Sequence, residues 1–308
     1  MGTINWQEQP LLTTVVGSYP TGGLPPRRAL QRAVEEQIAA GVELISDGQV
    51  RGDMISLFAE RIPGFAPAAD GGWVVRAELE RPEEPIAAGD YALARRLADG
   101  RALVKGVVTG PVTLALASRI GVNAPYVAPH DPELILKLAE IVAYEVAALV
   151  AAGAEVVQVD EPALATERAR LVSFELLENA LRDLAALPVC PVLHVCGDVR
   201  GILPELVGLP FAVLDIEGAR IEQLERLDRD LLEFGDGRVA YGCVDTQSAA
   251  VEPVNVIRDR IERAVATLGS AGRLWISPDC GLRQLPPEAV RAKLAAMVEA
   301  VQDVRATL

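Results

Sequence analysis

Basic residues are in short supply: 29 lysines and arginines face 43 acidic residues, leaving a net charge of −14. A surface that acidic repels phosphate backbones and anionic headgroups, so neither nucleic acid nor a membrane is an expected partner. Cysteine is scarce, with four in 308 residues, and no apolar leader follows Met1, so a secreted disulfide scaffold is not expected. The longest apolar runs, such as Ile141 to Ala152, are broken by Glu145 and fall short of the roughly 20 residues a membrane span needs. These absences predict a cytoplasmic protein. What remains is ordinary globular material, 50% hydrophobic and 23% charged, which excludes wholesale disorder.

The length fits two domains of about 150 residues, or one barrel of about 250 residues with an insertion. Short apolar runs at Leu12–Val16, Leu44–Ser46, Ala102–Val108, Val156–Val159, Val192–Val195, Ala212–Ile216, Val239–Gly242 and Leu274–Ile276 predict strands. Between them, i, i+3, i+4 apolar spacing predicts helices over 27–40, 132–151, 174–187, 202–207, 221–234, 254–268 and 287–304. Continuous apolar strands alternating with helices indicate a parallel sheet covered on both faces. Eight strands are the number a closed α/β (β/α)8 TIM barrel requires, and polar and glycine residues punctuate nearly every strand end. A doubly wound open sheet, with its ligand at one switch point, is the alternative. The Pro-, Gly-, Glu- and Arg-rich segment 53–100 interrupts the alternation and is expected to be an insertion after strand 2, at the barrel mouth. On this reading residues 1–308 form a single barrel.

The strand ends carry the chemistry, as the C-terminal rim of a barrel should. His194 and Cys196 lie two apart on a strand, so their side chains leave one face. Imidazole nitrogen and thiolate sulfur are both zinc ligands. Alone, the pair reads more readily as a buried cysteine beside a hydrogen-bonded histidine. Glu217 and Cys280, at the ends of later strands, shift the balance toward a tetrahedral zinc site. Cys243 competes for the second thiolate, but no acidic residue precedes it as Asp279 precedes Cys280. Cys190 opens a strand at the opposite end and is expected to be structural. His130 is expected to be a solvated capping residue.

Five segments, in order from the first strand to the last, then resemble one family. They are Thr14-Val15-Val16-Gly17-Ser18-Tyr19-Pro20, Val157-Gln158-Val159-Asp160-Glu161-Pro162-Ala163-Leu164, His194-Val195-Cys196, Asp215-Ile216-Glu217 and Ser277-Pro278-Asp279-Cys280-Gly281-Leu282. Together they resemble the catalytic barrel of the cobalamin-independent methionine synthases. Full-length members of that family have two barrels; this chain has room for one and resembles the single-barrel, or core, branch. The resemblance implies zinc held by His194, Cys196, Glu217 and Cys280, with the homocysteine thiolate joining the metal. It also implies Ser18 near the amino-acid carboxylate and Asp160 near its ammonium group. Coordination deprotonates a thiol whose free pKa is about 8.5. Glu217, the hard donor among softer ones, is the ligand expected to yield to substrate sulfur. Asp160 and Glu217 are therefore the expected catalytic residues.

Two departures from the family bear on substrate and donor. Asp47-Gly48-Gln49 stands where two-barrel members have His-Gly-Glu, whose glutamate helps hold the substrate ammonium. Gln49 brings no charge, so Asp160, with Asp47, is expected to do more; the expected substrate set is Ser18, Asp47, Gln49 and Asp160. After the seventh strand, Gln247 stands where folate-using members have a histidine that helps protonate the pterin. An amide is not a useful general acid. Loss of an amine from methyltetrahydrofolate needs a proton, whereas loss of cob(I)alamin from methylcobalamin needs none. With a single barrel and an acidic chain, this points to methylcobalamin or a methylated corrinoid carrier protein as donor. The alternatives are methyltetrahydrofolate as donor, methyl transfer involving another small thiol such as coenzyme M, and, in a different class, a non-catalytic zinc-binding barrel. A uroporphyrinogen decarboxylase-like reading shares the fold but has no need of the His-Cys-Glu-Cys set.

Overall fold

Each short apolar run bounded by polar residues becomes a strand in the computed structural model, which describes residues 5–69, 71–221, 223 and 237–308. In chain order these are β1 (Leu12–Thr13), β2 (Leu44–Ile45), β3 (Phe65–Pro67), β4 (Trp73–Val75), β5 (Leu103–Val104) and β6 (Gly106–Thr109). There follow β7 (Ser118–Ile120), β8 (Val156–Asp160), β9 (Cys190–Val195), β10 (Val213–Ile216), β11 (Arg238–Val244) and β12 (Leu274–Pro278). Seven of them form one parallel sheet in the order β1-β12-β11-β10-β9-β8-β6. The gap between its ends is closed by a parallel bridge from Thr14 to Leu44 and by the pairing of β2 with β5. β5 and β6 are one strand position broken at Lys105, which pairs with β2 on one side and β8 on the other. Eight strand positions therefore close into the barrel that the alternation predicts.

Side-chain parity divides the strands cleanly. Val157, Val159, Leu193, Val195, Leu214 and Ile216 point outward into the main core beneath the helices. Leu12, Leu44, Val156, Val192, Val213 and Trp275 point inward and plug the barrel floor, with Cys190 among them. Trp6 closes this floor edge-on to Trp275, with ring centroids 6.1 Å apart. Two residues further along each strand the inward positions turn polar. Lys105, Gln158, His194, Asp215 and Ser277 form this middle layer, all buried. The next inward step reaches the rim.

The helices follow the predicted periodicity at Pro26–Ala39, Pro132–Ala151, Phe174–Ala185, Leu203–Val207, Val254–Leu268 and Pro287–Arg305. The helix predicted over 221–234 lies outside the described residues. Gly106 lets the helix Pro132–Ala151 come close, since a Cβ there would meet Leu149 Cδ1 at 2.7 Å. Segment 53–100 differs from its reading as one insertion. Its last part, Ala88–Ala98, is a helix packed against Pro26–Ala39 and Pro132–Ala151, and so belongs to the barrel's own alternation. What departs from the alternation is the helix Met54–Ala59, capped by Asp53, and the hairpin of β3 and β4. That hairpin is completed by β7, which comes from a later loop. Asp131, not His130, caps the following helix: its carboxylate accepts from Glu133 N and Val127 N.

Candidate active site

At the rim the parity of β9 carries His194 and then Cys196 to one face, and β10 and β12 deliver Glu217 and Cys280 beside them. Cys196 Sγ lies 2.8 Å from Glu217 Oε1 and 3.1 Å from Cys280 Sγ. The ligand atoms of His194, Cys196 and Cys280 all fall within 4.8 Å of one another. The structure thus gathers three of the four expected residues, His194, Cys196 and Cys280, into one cluster of metal-binding size and sets Glu217 against Cys196 at its edge. Cys243 is buried among the outward-facing core residues, and Cys190 belongs to the floor cluster at the opposite end.

Two features show that this cluster suits a metal. Both ring nitrogens of His194 are buried without a hydrogen-bond partner. Asp215 Oδ1 lies 3.3 Å from Nδ1, the arrangement in which a carboxylate orients a histidine and leaves Nε2 to coordinate. Burial disfavours a charged His194, but Asp215, Cys280 and Asp160 outweigh it and raise its pKa. The hydrogen bond from Cys196 outweighs burial at Cys280 and, helped by His194, brings its pKa down to about 4. Cys196 is pushed up by its contact with that thiolate and by burial. The imidazole and two sulfurs of this cluster, with the Glu217 side chain against Cys196, form a zinc-type donor set.

The loops that carry these groups are tied to each other. Asp279, one residue before Cys280, accepts from three successive backbone amides just past Glu217: Gly218 (2.8 Å), Ala219 (2.8 Å) and Arg220 (3.1 Å). Gln223 donates to Glu217 O at 2.7 Å and accepts from Val199 N, beyond Cys196, at 2.9 Å. Gly218 admits the Tyr241 ring where any Cβ would overlap it, and Tyr241 Oη donates to Gly218 O. Sequence reading assigned no role to Asp215 or Gln223 and used Asp279 only to favour Cys280 over Cys243. Asp215 could have been found, because it lies one parity step before Glu217.

Next to the cluster is a cavity of about 260 Å3, walled in part by Ser18, Gln49, Asp160, His194, Cys196 and Cys280. Asp160 is buried, and desolvation raises its pKa to about 6 against the pull of His194, Gln158 and Lys105. Gln49 takes a left-handed backbone with φ +45° and keeps its Nε2 buried and unpartnered. Its carbonyl accepts from the Arg283 guanidinium, another part of the wall. Gly281 leaves room for Ser18 Oγ, which a Cβ would strike. Asp47 is not part of the wall: its carboxylate accepts from Gln49 N. Glu161 turns away as well, accepting from Val112 N and Thr113 N at the start of the helix Pro111–Leu116.

With this geometry in place, the comparison with known families is decisive. The model described as "Cobalamin-independent synthase, Catalytic domain" matches residues 23–303. The chain belongs to that family. A methionine synthase of Methanothermobacter marburgensis is 38% identical over 318 residues, covering 95% of this chain and all of that protein. A 5-methyltetrahydropteroyltriglutamate–homocysteine methyltransferase of Nitratidesulfovibrio vulgaris (strain Miyazaki F) is 31% identical, but the match spans only 37% of that longer protein. A B12-independent methionine synthase from Shewanella sp. W3-18-1, solved with selenomethionine, shares the fold with a TM-score of 0.82 at 19% identity. That match covers 97% of this chain and 99% of the other.

Family membership corrects the expected donor, since nothing in a cobalamin-independent family supports methylcobalamin or a corrinoid carrier partner. The physical reason lies at Gln247. This residue is exposed on the wall of the cavity, where solvent can deliver a proton. The lack of a side-chain acid there does not exclude an amine leaving group. Among the described residues, no helix is long and apolar enough to cross a membrane.

Proposed function

We propose that the chain is a zinc-dependent methyltransferase that converts homocysteine to methionine with a 5-methyltetrahydropteroyl glutamate as donor. The observation that carries this reading is the cluster of His194, Cys196 and Cys280, with Glu217 against Cys196, beside a cavity walled by Asp160 and Ser18. Relatives named methionine synthase and 5-methyltetrahydropteroyltriglutamate–homocysteine methyltransferase support the acceptor and the donor. The four residues would hold the zinc, with Asp215 orienting His194. When bound, the ion supplies a Lewis acid that keeps the substrate sulfur deprotonated at neutral pH.

The other residues bind and orient. Asp160 offers its carboxylate to the substrate ammonium, and Ser18 lies within reach of the carboxylate. The unpartnered Gln49 amide, fixed by its backbone and by Arg283, gives the amino acid a further polar contact. Holding the thiol and the methyl group in line removes much of the entropic barrier to transfer. Asp47 has no part in this reading.

The test is direct. Zinc-loaded protein is incubated with homocysteine and either 5-methyltetrahydropteroyl glutamates or methylcobalamin, and methionine is measured. Methionine from the pterin donor in the absence of any corrinoid is the expected result. Methionine from methylcobalamin alone would overturn the donor assignment, and none from either donor would overturn the reading itself.

A further inference from the structure

Lys105, at the break between β5 and β6, is only 2% exposed. It is one of three lysines in the chain, with Lys137 and Lys293. Burying an ammonium is expensive, and a methionine would fill much the same volume without that cost. Desolvation does lower the Lys105 pKa, to about 8, with Asp215 and Asp160 opposing the shift.

The contacts suggest what the charge does. Lys105 Nζ donates to Gln158 Oε1 at 2.5 Å. From the other end of the same amide, Nε2 donates to Asp160 Oδ1 at 2.6 Å and to Val16 O at 2.7 Å. An ammonium can only donate, so it accepts one orientation of the amide and rejects the flipped one. That orientation makes Gln158 a donor toward Asp160. Asp160 and Val16 O favour the same orientation from the other end, but without the lysine the buried Oε1 loses its donor and the amide is held from one side only. The relay starts in the middle layer of the barrel, one parity step below the rim.

We propose that Lys105 is a positioning residue for amine-bearing substrate: it locks the Gln158 amide so that Asp160 is held by one oxygen and presents the other to the ammonium. Its charge also offsets the two buried carboxylates, Asp160 and Asp215, that lie near it. This inference rests on the reading of Asp160 as the ammonium anchor.

The experiment compares homocysteine with 4-mercaptobutyrate, which has the same thiol and carboxylate but no amine. Both are titrated calorimetrically into zinc-loaded wild type and Lys105→Met. Wild type should prefer homocysteine. The variant should lose roughly tenfold of its homocysteine affinity and little for the analogue, as expected for one misaligned charge-assisted contact. Equal losses for both thiols would mean a purely structural lysine, and no loss would mean an idle one; either overturns the inference. A wild type that does not distinguish the two thiols overturns the Asp160 reading, and the inference with it. If Lys105→Met does not fold, Gln158→Leu cuts the same relay one contact later and is read in the same way.

Discussion

Cys280 and Cys243 sit near the ends of neighbouring strands, yet their environments differ completely. Cys280 accepts from Cys196 Sγ and lies beside the His194 imidazole, whereas Cys243 is sealed in the outer core, where burial raises its pKa. Cys280→Ala or Cys196→Ala should therefore abolish zinc retention, measured as metal per chain after gel filtration. Cys243→Ala should keep about one zinc per chain on the four-ligand reading and lose only stability, by about 1–2 kcal/mol for a small buried side chain. Metal lost from Cys243→Ala and kept in Cys280→Ala would reverse the assignment. The four candidate ligands were legible in the sequence because they lie at or just beside strand ends, in a chain with so few histidines and cysteines. Lys105 and Gln158 were not. They lie in mid-strand within otherwise apolar runs, and only inward parity, fixed by the closed ring, reveals that they share a layer.

At the level of elements, the loop after β10 depends on a side chain from β12. Asp279 takes three backbone amides of that loop and so sets where Glu217 stands relative to Cys280. Asp279→Ala leaves those amides without their acceptor and should weaken zinc binding by roughly 10–100-fold, the usual cost of losing an outer-shell partner. Competition with a chromogenic chelator measures this, and unchanged affinity would mean that the clamp has no bearing on the metal. The same scale shows why the strands were easier to read than the outworks. Barrel strands covered on both faces give continuous apolar runs, which is why all eight fell within a few residues of their predicted places. The helix Ala88–Ala98 escaped because it follows a stretch rich in proline and glycine and buries only Tyr91, Ala94 and Ala98. β3, β4 and β7 are three residues each, too short to show a period.

Across the whole molecule, closure of the ring brings the chain's two ends together, and Glu43 is the joint. Its carboxylate accepts from Arg305, at the end of the last helix, at 2.7 and 2.9 Å, and from Thr13 N at 2.9 Å. Burial opposes the charged form, but Arg305 and Thr13 outweigh it and lower the pKa. A lowered folded pKa means a stabilisation that is complete above the ordinary glutamate value of 4.5. It is lost as the pH falls from there through the folded value. Glu43→Gln should cost roughly 2 kcal/mol near neutral pH, as for a hydrogen bond to a charged group, and the gap from wild type should narrow in acid. Denaturant melts at pH 7 and pH 4 would show it, and a gap that widens in acid would contradict the linkage.

On the proposed reading, His194, Cys196, Glu217 and Cys280 hold one zinc ion to which the homocysteine sulfur is added. X-ray absorption at the zinc edge tests it on the intact protein, without any methyl donor. Two sulfur donors are expected in the resting protein and three once homocysteine is bound. A sulfur count that stays at two with saturating homocysteine would contradict it.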